Sequence, residues 1–412
     1  MNEIDFLLSI DSKKIKYGLS RTIALLDACN NPQDKLNIIQ IVGTNGKGST
    51  SAMIANALIN NNYKIGLFTS PHLVYINERI RINNHFIPDE FIIYFIKKFK
   101  KKILDIKPSF FEIITVLAVY YFAIKKVDFS ILETGLGGRL DSVTATRAKI
   151  LIFTPIDYDH QKILGASLAL ITREKAGAIV QNNKLIISCQ QTTEVSRLLN
   201  DKAKKENKTI CYQKKSKTPL KQLQLKGVHQ EKNGELAILA LNKISHMYAL
   251  HINNINTHIA NTEWFGRIQY IEHNPDIIFD VAHNNQSINA FIEYFKTIKS
   301  QYQTKWLVFG YEEGKTIEQS IIKLNQHFNH ITITETKTKN SMSPDKIFTM
   351  FDKKTTTIRI ENNPKDAIKQ IKNKLNKKDV MVILGSHYFG PYIHTIFKNC
   401  FDIGIKNLNF QQ

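Results

Sequence analysis

Short runs of β-branched residues alternate with longer segments of helical period from Leu36 onward, and this alternation constrains the fold more than any other feature. Strands that alternate with helices in this way indicate βαβ units around a mainly parallel sheet. The predicted strands of the first series are Leu36 to Val42, Lys64 to Thr69, Asp128 to Glu133, Lys149 to Pro155 and Lys184 to Ser188. The predicted helices between them include Ser49 to Asn60 and Phe110 to Ile124.

A second series of the same kind starts near Pro275. Its predicted strands are Asp276 to Val281, Lys305 to Gly310, Ile331 to Glu335, Thr356 to Ile360 and Asp379 to Gly385. The change from one series to the next falls between Gly266 and Pro275, which predicts two domains, residues 1–270 and 271–412. The Lys- and Gln-rich stretch Val195 to Lys226 is interpreted as a surface excursion with short strands.

Composition narrows the class of protein. Of the 412 residues, 43% are hydrophobic and 22% are charged, which is enough apolar material for large cores. The formal charge of +20 leaves nucleic acid, an anionic membrane and small acidic substrates open as partners. The four cysteines have no metal-site or redox spacing, and no window approaches the ~20 apolar residues of a membrane span. We therefore expect a soluble, cytoplasmic protein with free thiols.

The strongest local signal is a glycine loop, Ile41 to Thr50 (IVGTNGKGST), which follows a predicted strand and opens a predicted helix. Glycines let backbone N–H groups turn toward an anion, the helix N-terminus adds partial positive charge, and Lys47 supplies a mobile cation. Ser49 or Thr50 could face a magnesium ion. Gly48 after the lysine departs from the usual P-loop, but three glycines and a lysine exceed what a turn requires. The loop predicts nucleotide binding.

Two further strand ends carry polar residues. A second glycine-rich loop, Glu133 to Ser142, begins where its strand ends, and Asp157 to His160 follows the next strand. Taken alone, each of these residues is more simply interpreted as an ordinary surface or core residue. Because the carboxyl ends of parallel strands meet at one edge of a sheet, however, Lys47, Glu133 and His160 should converge there. Glu133 could then reach a metal ion held at the phosphates.

Ten motifs in order make the chain resemble the bacterial folylpolyglutamate synthase/dihydrofolate synthase branch of the Mur ligase superfamily. The motifs are GTNGKGST at Gly43 to Thr50, TSPHL at Thr69 to Leu73, ERIRI at Glu78 to Ile82, SFFEIITVLA at Ser109 to Ala118, ETGLGGRLD at Glu133 to Asp141, DHxxxLG at Asp159 to Gly165, REKAG at Arg173 to Gly177, GVHQEKN at Gly227 to Asn233, WFGRIQ at Trp264 to Gln269 and FDVAHN at Phe279 to Asn284.

The resemblance implies an α/β fold, with a Mur ligase-like P-loop ATPase domain around a parallel-dominated sheet and a smaller Rossmann-like C-terminal domain. The active site would lie in the cleft between them. By motif, the residues implied to bind ATP are Thr44, Asn45, Gly46, Lys47, Gly48, Ser49, Asn233, Arg267, Asp280 and His283. Those implied to hold two Mg²⁺ ions are Ser70, Glu133 and His160, and Lys175 resembles a lysine that is carbamylated in the family. Lys47, His160 and Lys175 would be catalytic.

The activity implied is ligation of L-glutamate to a pterin, in folate biosynthesis and one-carbon metabolism. The pterin would be dihydropteroate, tetrahydrofolate or both, contacting Ser109, Phe110, Phe111, Glu112, Leu140, Asp141 and Ser142, with Lys16 to Gly18 as further candidates. ATP would convert the pterin's carboxyl group into an acyl phosphate, which the amine of glutamate attacks. Arg267 and Arg139 would help to hold the anionic substrates. We expect a monomer without nucleic-acid or membrane partners.

Two loops depart from the family pattern. After FDVAHN the family usually continues with Pro and often another His, whereas Asn285, Gln286 and Ser287 follow here. After the strand ending at Gly310 the family usually reads like GMLxDKD, whereas Tyr311 to Lys315 reads YEEGK. Both loops lie in the predicted C-terminal domain. They bear on substrate preference more than on phosphoryl chemistry, because the N-terminal motifs are intact.

Two other classes of protein stay open. A peptidoglycan Mur ligase would share the mechanism, but it normally carries an additional N-terminal domain, for which the segment before Gly43 is too short. A nucleic-acid-associated P-loop ATPase would suit the +20 charge and the lysine runs at Lys97 to Lys102 and Lys372 to Lys378. Such runs are usually solvated helix faces, and the i to i+4 spacing of Phe91, Phe95 and Phe99 indicates an apolar helix face rather than a base-stacking surface.

Overall fold

The computed structural model describes residues 2–10, 17–214, 220, 222–315, 317–352, 356–398 and 400–401. Two separate sheets organise this part of the chain, one of eight strands and one of six. The strands of the first sheet are β1 (Ile38–Val42), β2 (Ile65–Phe68), β3 (Ile80–Ile82), β4 (His85–Phe86), β5 (Phe129–Glu133), β6 (Ile150–Phe153), β7 (Leu185–Ser188) and β8 (Cys211–Tyr212).

The first sheet has the strand order β4-β3-β2-β5-β1-β6-β7-β8. All pairs from β2 to β8 are parallel, and the β2–β3–β4 edge is antiparallel. The chain leaves β1 toward β2 on one side and later adds β6 on the other. The carboxyl end of β1 is therefore a topological switch point, where ligands of open α/β sheets bind.

Helices cover both faces of this sheet. Ile39 and Ile41 of β1 pack in one apolar cluster, and Ile38 packs in another on the opposite face. Two covered faces explain why these strands are near-continuous apolar runs. The helices of this part are α1 (Glu3–Ser9), α2 (Ser20–Ala28), α3 (Lys47–Ile59), α4 (Asp89–Ile106), α5 (Phe110–Ile124), α6 (Gln161–Leu164), α7 (Leu168–Ala176), α8 (Thr193–Lys205), α9 (Val228–Tyr248) and α10 (Ile255–Ala260).

The second sheet has the order β13-β12-β11-β14-β10-β9 and is parallel except for the β9–β10 pair. Its strands are β9 (Gln269–Glu272), β10 (Asp276–Asp280), β11 (Lys305–Phe309), β12 (His330–Ile333), β13 (Thr357–Ile360) and β14 (Val380–Leu384). Its helices are α11 (Asn285–Ile298), α12 (Glu318–Asn325), α13 (Pro344–Met350), α14 (Pro364–Lys372) and α15 (Gly390–Ile396).

The predicted α/β class with parallel-dominated sheets is confirmed, and all ten predicted strands form within about two residues of their expected ends. The division into residues 1–270 and 271–412 stays a prediction, and β9 spans that point while pairing within the second sheet. The prediction for Val195 to Lys226 was wrong at its start. That segment forms most of α8, because Val195, Leu199 and Ala203 recur at helical spacing and bury one side of it.

The described residues include no helix that is both long and apolar enough to cross a membrane.

Candidate active site

The glycine loop after β1 wraps closely against its neighbours. A Cβ added to Gly43 would lie 1.9 Å from Thr154 Oγ1, and one added to Gly46, whose φ is +82°, would lie 2.4 Å from Asn233 Oδ1. Lys47 opens α3 and donates from Nζ to the carbonyl oxygens of Gly43 (3.3 Å) and Thr44 (3.1 Å). The loop therefore curls around its own lysine, as a phosphate cradle requires.

The first turn of α3 carries polar atoms without partners. The hydroxyl groups of Ser49 and Thr50 are buried and make no hydrogen bond to the described residues. Thr44 is anchored instead, because its hydroxyl donates to the Asp157 carbonyl and accepts from the Asp157 N–H, each at 3.0 Å. Buried polar atoms normally have partners, so Ser49 and Thr50 are available to a ligand at the helix N-terminus.

Glu133 ends β5 beside this turn. Its carboxylate accepts a hydrogen bond from the Ser70 N–H at 3.1 Å, and a Cβ on Gly48 would lie 3.5 Å from its Oε2 atom. Burial raises the pKa of Glu133, and the nearby charges of Lys47 and Arg267 partly oppose that rise. A buried carboxylate that faces cations at a phosphate loop is suited to a metal ion.

His160 follows β6 but is already engaged. Lys315 donates from Nζ to Asp159 Oδ1 at 2.6 Å and lies 3.1 Å from His160 Nε2. Burial lowers the pKa of His160 to about 3, so the ring is neutral at pH 7 and its nitrogen can accept. For His160 to bind a metal ion through Nε2, the Lys315 ammonium must move away.

Lys175 lies near the C-terminal end of α7 and is 4% exposed. Its Nζ atom donates to the Gly43 carbonyl at 2.8 Å, which puts the amine under the phosphate loop. Burial, assisted by the charge of Lys47, lowers the pKa of Lys175 to about 7. A substantial fraction of this amine is therefore neutral at pH 7, and a neutral amine is nucleophilic.

The segment predicted to contact the pterin opens α5. Ser109 is its N-cap, and the Glu112 carboxylate accepts from the Ser109 N–H at 2.6 Å and from Arg21 Nε at 3.2 Å. Phe110 lies in the core, while Phe111 is partly buried and fills the space over Gly135, where a Cβ would be 2.5 Å from its ring. Glu112 thus fixes the start of α5, and Phe111 joins that start to the second glycine loop.

The second glycine loop is held by its own aspartate. Asp141 accepts from the N–H groups of Leu136 (2.8 Å) and Val143 (2.9 Å), and burial raises its pKa to about 6. Ser142 shares a 2.9 Å hydrogen bond with Thr115 of α5, and Leu140 is half-buried. Among the further pterin candidates, Lys16 lies outside the described residues and the Tyr17 side chain is exposed.

The segment from Trp264 to Asn284, which leads into and out of β9 and β10, brings Arg267, Asp280 and His283 to the cleft. Asp280 accepts from the N–H groups of Ile268 (2.8 Å) and Ala282 (2.7 Å), so it ties the WFGRIQ and FDVAHN segments together. Burial raises the pKa of Asp280 to about 6, with Arg267 opposing the rise. His283 Nδ1 lies 2.8 Å from the Val281 carbonyl, which leaves Nε2 facing Asp159 at 3.9 Å.

Amide groups join the phosphate loop to the second domain. Asn45 and Asn284 exchange hydrogen bonds at 3.2 and 3.1 Å, and Asn45 also donates to Gln286. Asn284 donates in addition to Asp159 at 3.1 Å. Gln286 and Lys315, which belong to the two loops that depart from the family pattern, therefore both reach the first domain.

Sequence reasoning missed three residues of this region. Asp159 and Lys315 form the ion pair across the cleft, and Arg81 lines a pocket between the domains together with Ser70 and Glu133. A charged residue in the apolar strand Ile80–Ile82 was the available signal for Arg81. Arg139, which was expected to hold anionic substrates, is exposed and paired with Glu174 at 2.9 Å.

The donor set fits a magnesium ion in part. The Ser70 and Ser49 hydroxyls and the Glu133 carboxylate are hard oxygen groups, as Mg²⁺ prefers, and the Ser49 hydroxyl lacks a protein partner. No group of three or more His, Cys, Asp and Glu residues that could hold a metal ion occurs within the described ranges. Oxygen atoms of serine and of a bound phosphate would therefore have to complete the coordination.

Comparison with known proteins gives the affiliation of the chain. Residues 266–387 match the family model described as Mur ligase, glutamate ligase domain. The dihydrofolate synthase/folylpolyglutamate synthase of Bacillus subtilis (strain 168) is 28% identical over 411 residues, covering 91% of this chain and 94% of that protein. The folylpolyglutamate synthase of Lacticaseibacillus casei is 30% identical, covering 68% and 73%.

The folds agree over almost the whole length. The folylpolyglutamate synthase of Mycobacterium tuberculosis, solved with ADP and AMPPCP, superposes with a TM-score of 0.86 at 22% identity, covering 97% of this chain and 99% of that one. Together with the phosphate loop and the buried Lys175, these likenesses show that the chain belongs to the dihydrofolate synthase/folylpolyglutamate synthase family of the Mur ligase superfamily.

Proposed function

We propose that this protein uses ATP to join L-glutamate to a pterin substrate, either dihydropteroate, tetrahydrofolate or both. One observation carries the proposal: a phosphate loop with the half-buried Lys47 and the buried Lys175 faces Glu133 at the end of β5 and Arg267 from the segment before β9. Its sequence relatives carry the names of these synthases. The arrangement suits phosphoryl transfer to a carboxylate, which is otherwise a poor electrophile.

The nucleotide phosphates would lie on the N-terminus of α3. Backbone N–H groups of Asn45 to Ser49 and the Lys47 ammonium would bind them, and Lys47 would then exchange its two loop carbonyls for phosphate oxygens. Thr44, whose N–H donates to the Pro155 carbonyl at 2.8 Å, would hold the start of the loop in place. Asn233, which fits against Gly46, and Arg267, Asp280 and His283 of the second domain would surround the rest of the nucleotide. Of these, Asp280 acts by holding its two loops in position.

Ser70, Glu133 and His160 are the residues that would hold Mg²⁺, with two ions as the number we propose. Bound there, magnesium would neutralise charge on the transferring phosphoryl group. Glu133 is oriented by the Ser70 N–H, and His160 is kept neutral by burial. Lys315 lies 3.1 Å from His160 Nε2, so its ammonium would have to move for that nitrogen to bind Mg²⁺.

Lys175 would act as a carbamate. Its buried amine, with a pKa of about 7, can react with carbon dioxide at neutral pH and would become an anion beside the phosphate loop. The pterin would lie against Phe111 and the loop at Leu140 to Ser142, while Ser109, Phe110, Glu112 and Asp141 support those surfaces from behind. Its carboxyl group becomes an acyl phosphate, and the glutamate amine displaces phosphate to form the amide.

The first test is ADP release by the purified protein with ATP and Mg²⁺, in one tube with dihydropteroate plus glutamate and in another with tetrahydrofolate plus glutamate. Stimulation in both tubes indicates a bifunctional ligase, and stimulation in one names the activity. Folded protein that responds in neither tube contradicts the proposal. A monomeric state, a cytoplasmic location and independence from nucleic acid stay predictions, which light scattering and salt-dependent DNA retention would test.

A further inference from the structure

A pocket beside the carboxyl ends of the two sheets contains Arg81, which has no carboxylate within 4.0 Å among the described residues. It is lined by Ser70 and Glu133 from the first domain and by Trp264, Arg267 and His387 from the segments beyond it, and Arg81 lies in its wall. Arg81 is only 8% exposed, and its Nε atom donates to the Glu78 carbonyl at 3.0 Å. Within the described ranges no other hydrogen bond and no carboxylate within 4.0 Å involves its guanidinium group.

The carboxylates nearby are committed elsewhere. Glu78 accepts from the N–H groups of Leu73, Val74 and Tyr75 at 2.7 to 2.8 Å, and Glu133 accepts from Ser70. Arg267, on the other side of the pocket, donates to the Gly266 carbonyl and likewise has no ion pair among the described residues. Neither guanidinium group has a carboxylate within 4.0 Å among the described residues, although Glu78 attracts the charge of Arg81, and Asp280 and Glu133 attract that of Arg267. A buried charge without a direct partner is unfavourable. Two such charges in one pocket therefore point to an anionic ligand.

The guanidinium group lies over two aromatic rings. Its central carbon lies 4.7 Å from the centroid of Phe86 and 4.8 Å from that of Trp264. Stacking of this kind fixes the plane of an arginine while leaving its edge free for hydrogen bonds. The two terminal nitrogens then present the fork that matches the two oxygens of a carboxylate.

We propose that Arg81 binds a substrate carboxylate in this pocket and so contributes to selection of a dicarboxylic amino acid or of a carboxylate-bearing pterin. The inference rests on the proposed function for the identity of these substrates. Either the incoming glutamate or the pterin's own carboxylate could supply the anion, and the chemistry of recognition is the same. Trp264 reports on the pocket directly because it stacks on Arg81.

The test is a fluorescence titration of Trp264 in a Trp306→Phe background, with L-glutamate and tetrahydrofolate added separately in the presence of AMPPCP and Mg²⁺. Arg81→Met keeps an apolar stem between the rings, Arg81→Lys keeps the charge, and Lys98→Met is the control, since Lys98 also stacks on aromatic rings but does not line the pocket. Loss of a charge-assisted carboxylate contact should weaken binding of one substrate about tenfold or more in Arg81→Met.

The substrate whose affinity falls in Arg81→Met, either L-glutamate or tetrahydrofolate, is the one whose carboxylate contacts Arg81. Arg81→Lys should recover part of the affinity, and Lys98→Met should leave both affinities unchanged. Unaltered affinities for both substrates in folded Arg81→Met protein would overturn the inference, as would an equal weakening of AMPPCP binding, which indicates a merely structural role. Because this readout is binding, a failure of the proposed function, seen as absent ADP release by the unmodified protein, is a separate result.

Discussion

The carboxyl edges of the two sheets face the same cleft but are built differently. At the first edge, Lys47 and Lys175 donate to backbone carbonyls, and among the described residues neither amine has a carboxylate within 4.0 Å. At the second edge, the carboxylate of Asp280 accepts two N–H groups of its own loops, and Lys315 reaches across to Asp159. The amines of the first edge can therefore turn to a ligand. At the second edge, Asp280 holds its own loops in place and Lys315 forms an ion pair with the first edge.

This difference suggests a division of labour. Groups whose charges are met only by carbonyl oxygens can rearrange onto phosphate oxygens at little loss, which suits phosphoryl transfer. Groups that satisfy backbone N–H donors cannot leave them without unfolding the loop. We therefore expect the chemistry to depend most on the first edge, and closure and orientation to depend on the second.

The largest effect is expected for Lys47→Ala. Loss of the phosphate-facing cation should lower kcat more than about 100-fold while leaving the fold intact, because the hydrogen bonds of Lys47 to the described residues go to carbonyls of its own loop. ADP release measures the first quantity and thermal denaturation the second. Ligase activity retained at the level of the unmodified protein would break the assignment of the phosphate loop.

Lys175 should give a pH-dependent effect of nearly the same size. Only the neutral amine reacts with carbon dioxide, so carbamate formation should rise as pH increases through the pKa of about 7 and fall below it. ¹³C NMR with labelled bicarbonate across this range measures the carbamate directly. Lys175→Ala should lose activity that short carboxylates restore, and full activity without them would contradict the carbamate.

A moderate effect is expected for Lys315→Met, which removes the ion pair to Asp159 across the cleft. If the second edge acts by orientation, kcat should fall about tenfold, far less than for Lys47→Ala. Lys323→Met on α12 is the matched control, since among the described residues Lys323 donates to the Asn289 side chain of the neighbouring α11 and has no carboxylate within 4.0 Å. A loss as large as that of Lys47→Ala would break the comparison and give the second edge a share of the chemistry.

The smallest effect is expected for Gln286→Ala. It removes one amide contact to Asn45, and a neutral hydrogen bond of this kind contributes about 1 kcal/mol. KM for ATP should rise several-fold with kcat nearly unchanged, because the Asn45–Asn284 pair remains. A change confined to kcat would show that Gln286 acts on the chemical step rather than on the loop.

The sequence was informative wherever local chemistry decides the structure. The strand–glycine loop–lysine–helix pattern predicted a helix from Ser49 and a lysine at its N-terminus, and the helix begins two residues earlier, at Lys47 itself. The sequence was less informative at Val195 to Lys226, where many polar residues made the apolar side of α8 hard to recognise. It was also less informative at the β3–β4 hairpin, whose strands have only three and two residues. Such short strands are stabilised by their neighbours rather than by their own pattern.

The sequence by itself determined the α/β class, the order of the strands along the chain, the glycine loops and the family, because periodicity and motif chemistry act over short distances. Only the tertiary structure decided that Lys315 meets Asp159 and His160. It also decided that the carboxylates of Glu112 and Asp141 accept hydrogen bonds from backbone N–H groups. Finally, it placed Arg81 in the cleft without a carboxylate partner among the described residues. These facts depend on which distant residues share one buried space. Burial and hydrogen-bond partners set the protonation state of each group and decide whether it can bind a ligand, and the local sequence predicts neither.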